Sequence, residues 1–254
     1  MEIFQAIILG IIQGISEWLP ISSSGHLVLA QKLMSISVPV AYDVMLHIGT
    51  LIPVFIIFRK DILRVLRGFL TFNKKNEDFR LGIYIIIASA ITGLIGITFL
   101  KFFESLFAGT SAVGIGLIIA AVFLFASKFF KGQRKIGWKD SVVIGLAQAL
   151  SIVPGMSRSG LTISTGLIRK IDKKSVFIFS FLLSIVAVIG AQLVEFKGIE
   201  TSGVDLLPLA VGVVTSALVG YAAIKILLRT ILSEKFHWFA LYCFALGIAV
   251  LFIL

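Results

Sequence analysis

Hydrophobic residues along this chain fall in long runs rather than at helical or strand period. Runs near the ~20 residues that a helix needs to cross a hydrocarbon core lie at about 38–58, 81–100, 105–127, 175–196, 206–228 and 237–254. These predict six transmembrane helices. Two further stretches, 1–36 and 139–172, are apolar at both ends but broken near the middle by Pro, Gly and Ser: Leu19-Pro20-Ile21-Ser22-Ser23-Ser24-Gly25-His26 in the first, Val153-Pro154-Gly155-Met156-Ser157-Arg158-Ser159-Gly160 in the second. Each half of such a stretch is too short to cross, which predicts two re-entrant helical hairpins. The pattern is that of an all-α polytopic membrane protein.

Loop charges orient these elements, because Lys and Arg accumulate on the cytoplasmic side. Residues 59–80 hold Arg59, Lys60, Arg64, Arg67, Lys74, Lys75 and Arg80, and residues 128–139 hold Lys128, Lys131, Arg134, Lys135 and Lys139. Both loops read as cytoplasmic. The turn near Lys101 and Glu104, and the loop 197–205 with Lys197 against Glu200 and Asp205, read as external. The second hairpin begins after Lys139 and ends at Arg169, Lys170, Lys173 and Lys174, so it enters and leaves on the cytoplasmic face. Counting back from the loop at 59 places the first hairpin on the opposite face.

The two hairpins also align with each other, without a gap, at an offset of 135 residues: Gly10, Gln13, Ser16, Ser22, Ser24 and Gly25 meet Gly145, Gln148, Ser151, Ser157, Ser159 and Gly160. Each hairpin is followed by three spans. The expectation is a single membrane domain, 1–254, of two inverted-topology repeats, 1–127 and 139–254, whose hairpin tips meet near the midplane. Non-helical backbone at that depth is tolerated where protein or a wet cavity covers it, so the tips imply a polar chamber.

Composition agrees with a bilayer as solvent: 58% of residues are hydrophobic and 14% charged, with a mean hydropathy of +1.07. The net charge of +10 resides in the short loops, where orientation and anionic lipid head groups account for it without nucleic acid. Cys243 is the one cysteine, which excludes an intrachain disulfide and a cysteine metal cluster. Met1-Glu2-Ile3-Phe4 lacks the basic start of a signal peptide, so residues 1–20 are expected to belong to the fold.

Within the chamber, Glu17 and Arg158 carry most information, because an ionisable group at membrane depth costs several kcal/mol on most scales and calls for a partner and a purpose. Gln13 and Glu17 are four apart and share a helix face. The Ser157-Arg158-Ser159-Gly160 tip opens a half-helix and offers amide N–H groups, hydroxyls and a guanidinium, a combination suited to phosphate. A bare structural ion pair would not require five flanking hydroxyls. His26 reads either as a functional group or as a cap for loose backbone in the Ser-rich turn. Asp43 and His47, at the outer end of the span beginning near 38, and His237 beside Trp238 read as interfacial polar residues. The Phe177–Phe181 stretch reads as lipid-facing or packing surface.

Gln13-Gly14-Ile15-Ser16-Glu17, Pro20-Ile21-Ser22-Ser23-Ser24-Gly25-His26 and Pro154-Gly155-Met156-Ser157-Arg158-Ser159-Gly160-Leu161-Thr162 closely resemble the two hallmark motifs of the bacterial undecaprenyl-diphosphate phosphatase family associated with bacitracin resistance. Those motifs are Glu/Gln-x-x-x-Glu and Pro-Gly-x-Ser-Arg-Ser-x-x-Thr, and the resemblance extends over the length and span layout of the chain. Gln13 stands where other members carry Glu, which shifts the weight to Glu17. The resemblance implies an enzyme of the bacterial cell membrane that hydrolyses undecaprenyl diphosphate to the monophosphate and phosphate, recycles the carrier for cell-wall synthesis, and uses a divalent cation, Mg2+ or Ca2+. It implies catalytic roles for Glu17, Ser23, His26 and Arg158, and diphosphate contacts from Gln13, Ser22, Ser24, Ser157, Ser159, Gly160 and Thr162. Glu17, with Gln13, is expected to hold the metal; His26 is expected as base or nucleophile, or Ser23 as nucleophile with His26 as its base.

The charge-derived topology opens the chamber to the extracytoplasmic face. A secondary transporter shares the inverted-repeat architecture but has no need of Glu, His and Ser-Arg-Ser at one point, and phosphate release separates the two. A purely structural membrane protein predicts that Glu17 and Arg158 substitutions unfold the chain rather than inactivate it. Gly93 to Gly96, and Gly109, Gly114 and Gly116, permit close helix packing within the chain or in a homodimer.

Overall fold

A computed structural model of the chain describes residues 2–107, 109–195 and 205–253. The charges assigned to Lys197 and Glu200 lie outside the described residues. Among the described residues twelve α-helices run in chain order: α1 (Ile3–Trp18), α2 (Ser23–Leu33), α3 (Val40–Ile57), α4 (Arg59–Leu70), α5 (Glu77–Thr98), α6 (Leu100–Leu106), α7 (Thr110–Ala126), α8 (Trp138–Leu150), α9 (Arg158–Ile168), α10 (Lys173–Glu195), α11 (Leu206–Leu232) and α12 (Phe239–Ile253). Among the described residues six helical segments are long and apolar enough to span: Val40–Ile57, Glu77–Thr98, Thr110–Phe129, Lys173–Val194, Leu206–Leu232 and Phe236–Ile253. The chain is an all-α, multi-pass membrane protein.

The broken stretches become the helix pairs α1/α2 and α8/α9. With 16 and 13 residues, α1 and α8 reach about 24 and 20 Å at ~1.5 Å per residue. The 11-residue α2 and α9 reach about 16 Å, against a hydrocarbon core of ~30 Å. Proline stops α1, whereas α8 ends at Leu150 and passes through tight turns to Pro154. Leu19, ahead of Pro20, turns extended at φ −67°, ψ 147°, as the clash between a proline ring and the preceding residue demands. In the second pair Gly155 follows Pro154 at φ +88°, and a Cβ there would strike the Val113 carbonyl, so glycine is required. Serine restarts both: Ser22 Oγ accepts from the Gly25 amide at 3.3 Å and Ser157 Oγ from the Gly160 amide at 3.1 Å, each satisfying an orphan donor of a first turn.

Residues related by the 135 offset repeat one another's contacts. α1 packs on α11 and α8 on α5, while α3 packs on α11 and α10 on α5. Gly10 faces Gly212 and Thr215, and its equivalent Gly145 faces Ala88. At the tips Gly25 lies against Gly155 and Gly160 against Pro20; because 25 and 20 correspond to 160 and 155, the contact is reciprocal, the signature of a local two-fold relation.

The main core lies behind the tips. Trp18 stacks on Phe181 at 5.0 Å between centroids, and Phe181 on Phe58 at 4.9 Å, so Phe177, Phe179 and Phe181 are packing residues, each no more than 2% exposed. Of the small-residue positions, Gly114 lies against Leu251 and Gly247, and Gly116 against Pro154 and Gly155, so both serve packing within the chain.

Candidate active site

Glu17, near the end of α1, is the hub where the two hairpin tips meet. Its side chain is 4% exposed. Arg158, the first residue of α9, donates from Nη2 to Glu17 Oε1. The other oxygen, Oε2, accepts the Ser23 hydroxyl at 2.6 Å and Gln13 Nε2 at 3.1 Å, and His47 Nε2 lies 3.5 Å away. Carboxylate and guanidinium neutralise each other, as burial requires; removing either partner leaves an unpaired buried charge. Arg158 is also held over the Trp18 ring, its Cζ 5.6 Å from the centroid.

Among the described residues, Arg158 Nη1 and Gln13 Oε1, both buried at this hub, have no hydrogen-bond partner. Buried donors and acceptors are nearly always satisfied, so this donor beside a half-helix N-terminus and this acceptor beside a carboxylate are groups that a ligand carrying both anionic oxygens and positive charge would satisfy. Ser23 is the first residue of α2 and partly buried. Ser22, just before it, sits at φ +73°, a region a non-glycine residue rarely adopts and one that costs about 1–3 kcal/mol. That strained turn aims the Ser23 hydroxyl back at Glu17.

The remaining predicted residues divide. Ser22 and Ser24 hydroxyls lie 3.4 Å apart, and Ser157 and Ser159 hydroxyls 3.3 Å apart, with Gly160 in the same first turn of α9. Thr162 turns away: its hydroxyl donates to the Arg158 carbonyl at 2.8 Å and lies 2.6 Å from Ser180 Oγ, fixing α9 to α10. Gln148, the equivalent of Gln13, donates to Thr92 at 3.1 Å and ties α8 to α5. His26 reaches neither Ser23 nor Glu17: its Nδ1 is 2.8 Å from the Ser22 carbonyl and its Nε2 2.7 Å from the Tyr242 hydroxyl. The expected Ser23–His26 couple is therefore a Ser23–Glu17 couple, because the strained turn points Ser23 into the hub while α2 carries His26 one turn further round. Arg158, Ser23 and Gln13 engage both oxygens of Glu17, the carboxylate expected to hold the metal, and Gln13 Oε1 beside it is an unclaimed acceptor.

Sequence reading missed His47 and Tyr242. The interfacial reading of His47 overlooks that a histidine within a predicted span is itself a polar group at membrane depth. Its Nδ1 lies 2.8 Å from the Asp43 carbonyl, which turns Nε2 toward Glu17. Tyr242, in the final apolar run, gave no signal.

A family comparison matches residues 6–249 to the family described as "Bacitracin resistance protein BacA". The chain belongs to this family. It is 41% identical to an undecaprenyl-diphosphatase of Carboxydothermus hydrogenoformans, over 99% of this chain and 97% of the relative. It is 38% identical to one of Korarchaeum cryptofilum over the full length of both, and 39% identical to one of Methanosphaera stadtmanae over 98% of this chain and 96% of that protein. Glu17, Ser23, His26 and Arg158 all lie inside the segment, 6–249, that matches the BacA family.

Proposed function

We propose that this protein is an integral membrane phosphatase that hydrolyses undecaprenyl diphosphate to undecaprenyl phosphate and inorganic phosphate, returning the lipid carrier to cell-wall synthesis and conferring bacitracin resistance. The observation that carries this reading is the hub: a serine hydroxyl hydrogen-bonded to a buried carboxylate, beside a guanidinium with a free, buried Nη1. Phosphoryl transfer needs positive charge on the transferring group and an activated nucleophile held in line. Arg158 Nη1 and the first-turn amides of α9 meet the terminal phosphoryl oxygens. Ser23 Oγ attacks the terminal phosphorus as its proton passes to Glu17 Oε2, and the bond to the bridging oxygen breaks, releasing the prenyl monophosphate. Water then attacks the phosphoserine, with His26 taking its proton; the P–Oγ bond breaks, and Glu17 returns the proton to Ser23.

Gln13 Oε1, next to Glu17, suits a divalent cation that arrives with the diphosphate. No group of three or more His, Cys, Asp or Glu that could hold a metal occurs among the described residues, so phosphate oxygens and water would complete the shell, the usual habit of Mg2+. Such a cation supplies charge neutralisation on the phosphoryl group.

The tail follows from the same geometry. One residue beyond His47, Ile48, Leu51, Ile52 and Phe55 face Ile189 and Leu193 across a groove of about 380 Å3, where the first isoprene units lie. Inverted repeats in a bacterial cell membrane, with the chamber open to the extracytoplasmic side, fit the loop charges and the reciprocal tip contacts.

Phosphate release from a C55 or C15 prenyl diphosphate by purified protein, with and without Mg2+ or Ca2+, tests the activity. Wild type releases phosphate in a metal-dependent manner, and folded Glu17→Ala, Ser23→Ala and Arg158→Ala do not. Absence of release from folded wild type would overturn the proposal. With Cys243 replaced, cysteines at Ser22 or Ser157 should label from outside; labelling only from the cytoplasm would reverse the orientation.

A further inference from the structure

α12 closes the first hairpin through two adjacent residues. The Cys243 thiol donates to the Pro20 carbonyl at 3.3 Å, satisfying an acceptor in the broken segment, and the Tyr242 hydroxyl lies 2.7 Å from His26 Nε2. The Tyr242 and His26 rings are nearly parallel, 12° apart with centroids at 5.8 Å. A carbonyl only accepts, so His26 Nδ1, 2.8 Å from the Ser22 carbonyl, carries the hydrogen. In neutral imidazole Nε2 is then a bare lone pair, and the phenol is its donor.

We propose that Tyr242 is a positioning residue of the site: its hydroxyl and ring hold His26 as the Nδ1–H tautomer with the Nε2 lone pair kept free of hydrogen. Histidine in water prefers the opposite tautomer, so this state has to be imposed. The two hydrogen bonds impose it from opposite sides of the ring, and the stacked phenol keeps the plane fixed when water takes the hydroxyl's place at Nε2. As the water oxygen attacks phosphorus, a water O–H bond breaks and an Nε2–H bond forms; the Tyr242 oxygen then accepts from the imidazolium it had donated to. This inference rests on the reading of His26 as the base of phosphoserine hydrolysis, but the state of the ring can be measured without turnover.

The chain has three histidines, so 15N-histidine labelling in a His47→Gln, His237→Gln background isolates the His26 ring. The expected spectrum has a protonated Nδ1 and a lone-pair Nε2 shifted by its donor, and Tyr242→Phe, which keeps the ring, returns Nε2 to the value of a free lone pair. In the otherwise native enzyme Tyr242→Phe lowers kcat about five- to tenfold, the worth of one hydrogen bond to a reacting group, with KM unchanged. Tyr242→Ala loses more, and Tyr221→Phe, whose ring lies under Lys225 Nζ at 4.3 Å, behaves as wild type. An Nε2–H tautomer in the unmodified Tyr242 protein, or a Tyr242→Phe variant with unchanged Nε2 signal and kcat, overturns the proposal; so does a change confined to KM, which marks Tyr242 as a lipid-interface anchor. A wild type that shows the expected ring state but releases no phosphate would leave Tyr242 its positioning role and remove the phosphatase reading instead.

Discussion

At the scale of single residues, Glu17 and Arg158 divide their work by atom. Arg158 gives Nη2 to Glu17 and leaves Nη1 unpartnered. A lysine is a point charge without a fork and cannot serve both directions. Arg158→Lys should therefore fold, keep a neutral hub, and lose about 100-fold or more in kcat, at the level of removing one oxyanion donor; near-wild-type turnover would remove Arg158 from phosphate binding. Glu17→Gln keeps the shape of the hub but cannot take the Ser23 proton. Quenched reactions with labelled substrate should trap phosphoserine in wild type and in His26→Ala, and none in Ser23→Ala or Glu17→Gln. Labelled His26 would reverse the assignment. The i,i+4 relation of Gln13 and Glu17 was legible in sequence, as was the need of Glu17 for a cation. Which oxygen meets Ser23 was not, because the strained φ of Ser22 sets it and a serine gives no sequence sign of that strain.

Elements are held by close helix approach. A Cβ on Gly145 would lie 2.9 Å from the Ala88 carbonyl, and one on Gly10 would lie 2.7 Å from the Gly212 carbonyl. Backbone atoms do not yield, so Gly10→Ala and Gly145→Ala each cost about 1–3 kcal/mol and lower the thermal midpoint in detergent. Gly93→Ala, with nothing within 4 Å of the new Cβ, should leave it unchanged. Equal midpoints for all three would refute reciprocal packing as the main tie between the halves. In the groove, Leu51→Trp should raise KM for C55 substrate more than for a short-chain diphosphate with kcat preserved; an equal effect on both would place the tail elsewhere. The spans were read to within a few residues, and the breaks at Pro20 and Pro154 fell where expected. Which face of each helix is buried stayed hidden, since lipid-facing and core-facing residues are alike apolar and leave little amphipathic signal.

On the scale of the whole molecule, one ionic latch joins the loop ahead of α8 to the end of α9. Asp140, 1% exposed, accepts both Arg134 Nη1 and Nη2, at 2.8 and 2.7 Å, and Arg169 Nε at 2.5 Å. Burial works against its charge, but the two arginines and the Gly137 amide outweigh it and hold the carboxyl down at about 2. A depressed carboxyl contributes stability that is complete above its unfolded value, near 3.8, and is lost as pH falls from there through about 2. Asp140→Asn should thus lower stability at every pH from 5 to 8 by a constant amount, roughly 2 kcal/mol for hydrogen bonds to a charged group, with the difference shrinking below the unfolded value near 3.8 and closing only as pH falls past about 2. A difference that varies between pH 5 and 8 would assign the effect to another group.

The sequence by itself determined the solvent, the six spans, the two interrupted hairpins, their mutual likeness and the family motifs. All of these are written in runs of hydropathy and in contiguous residues. Tertiary structure alone decided that Ser23 pairs with Glu17 rather than His26, that His47 faces the same carboxylate, and that a tyrosine 216 positions away completes the histidine. Those contacts join helices whose apolar surroundings are uniform, so no periodicity records them; only packing in three dimensions brings the polar atoms together.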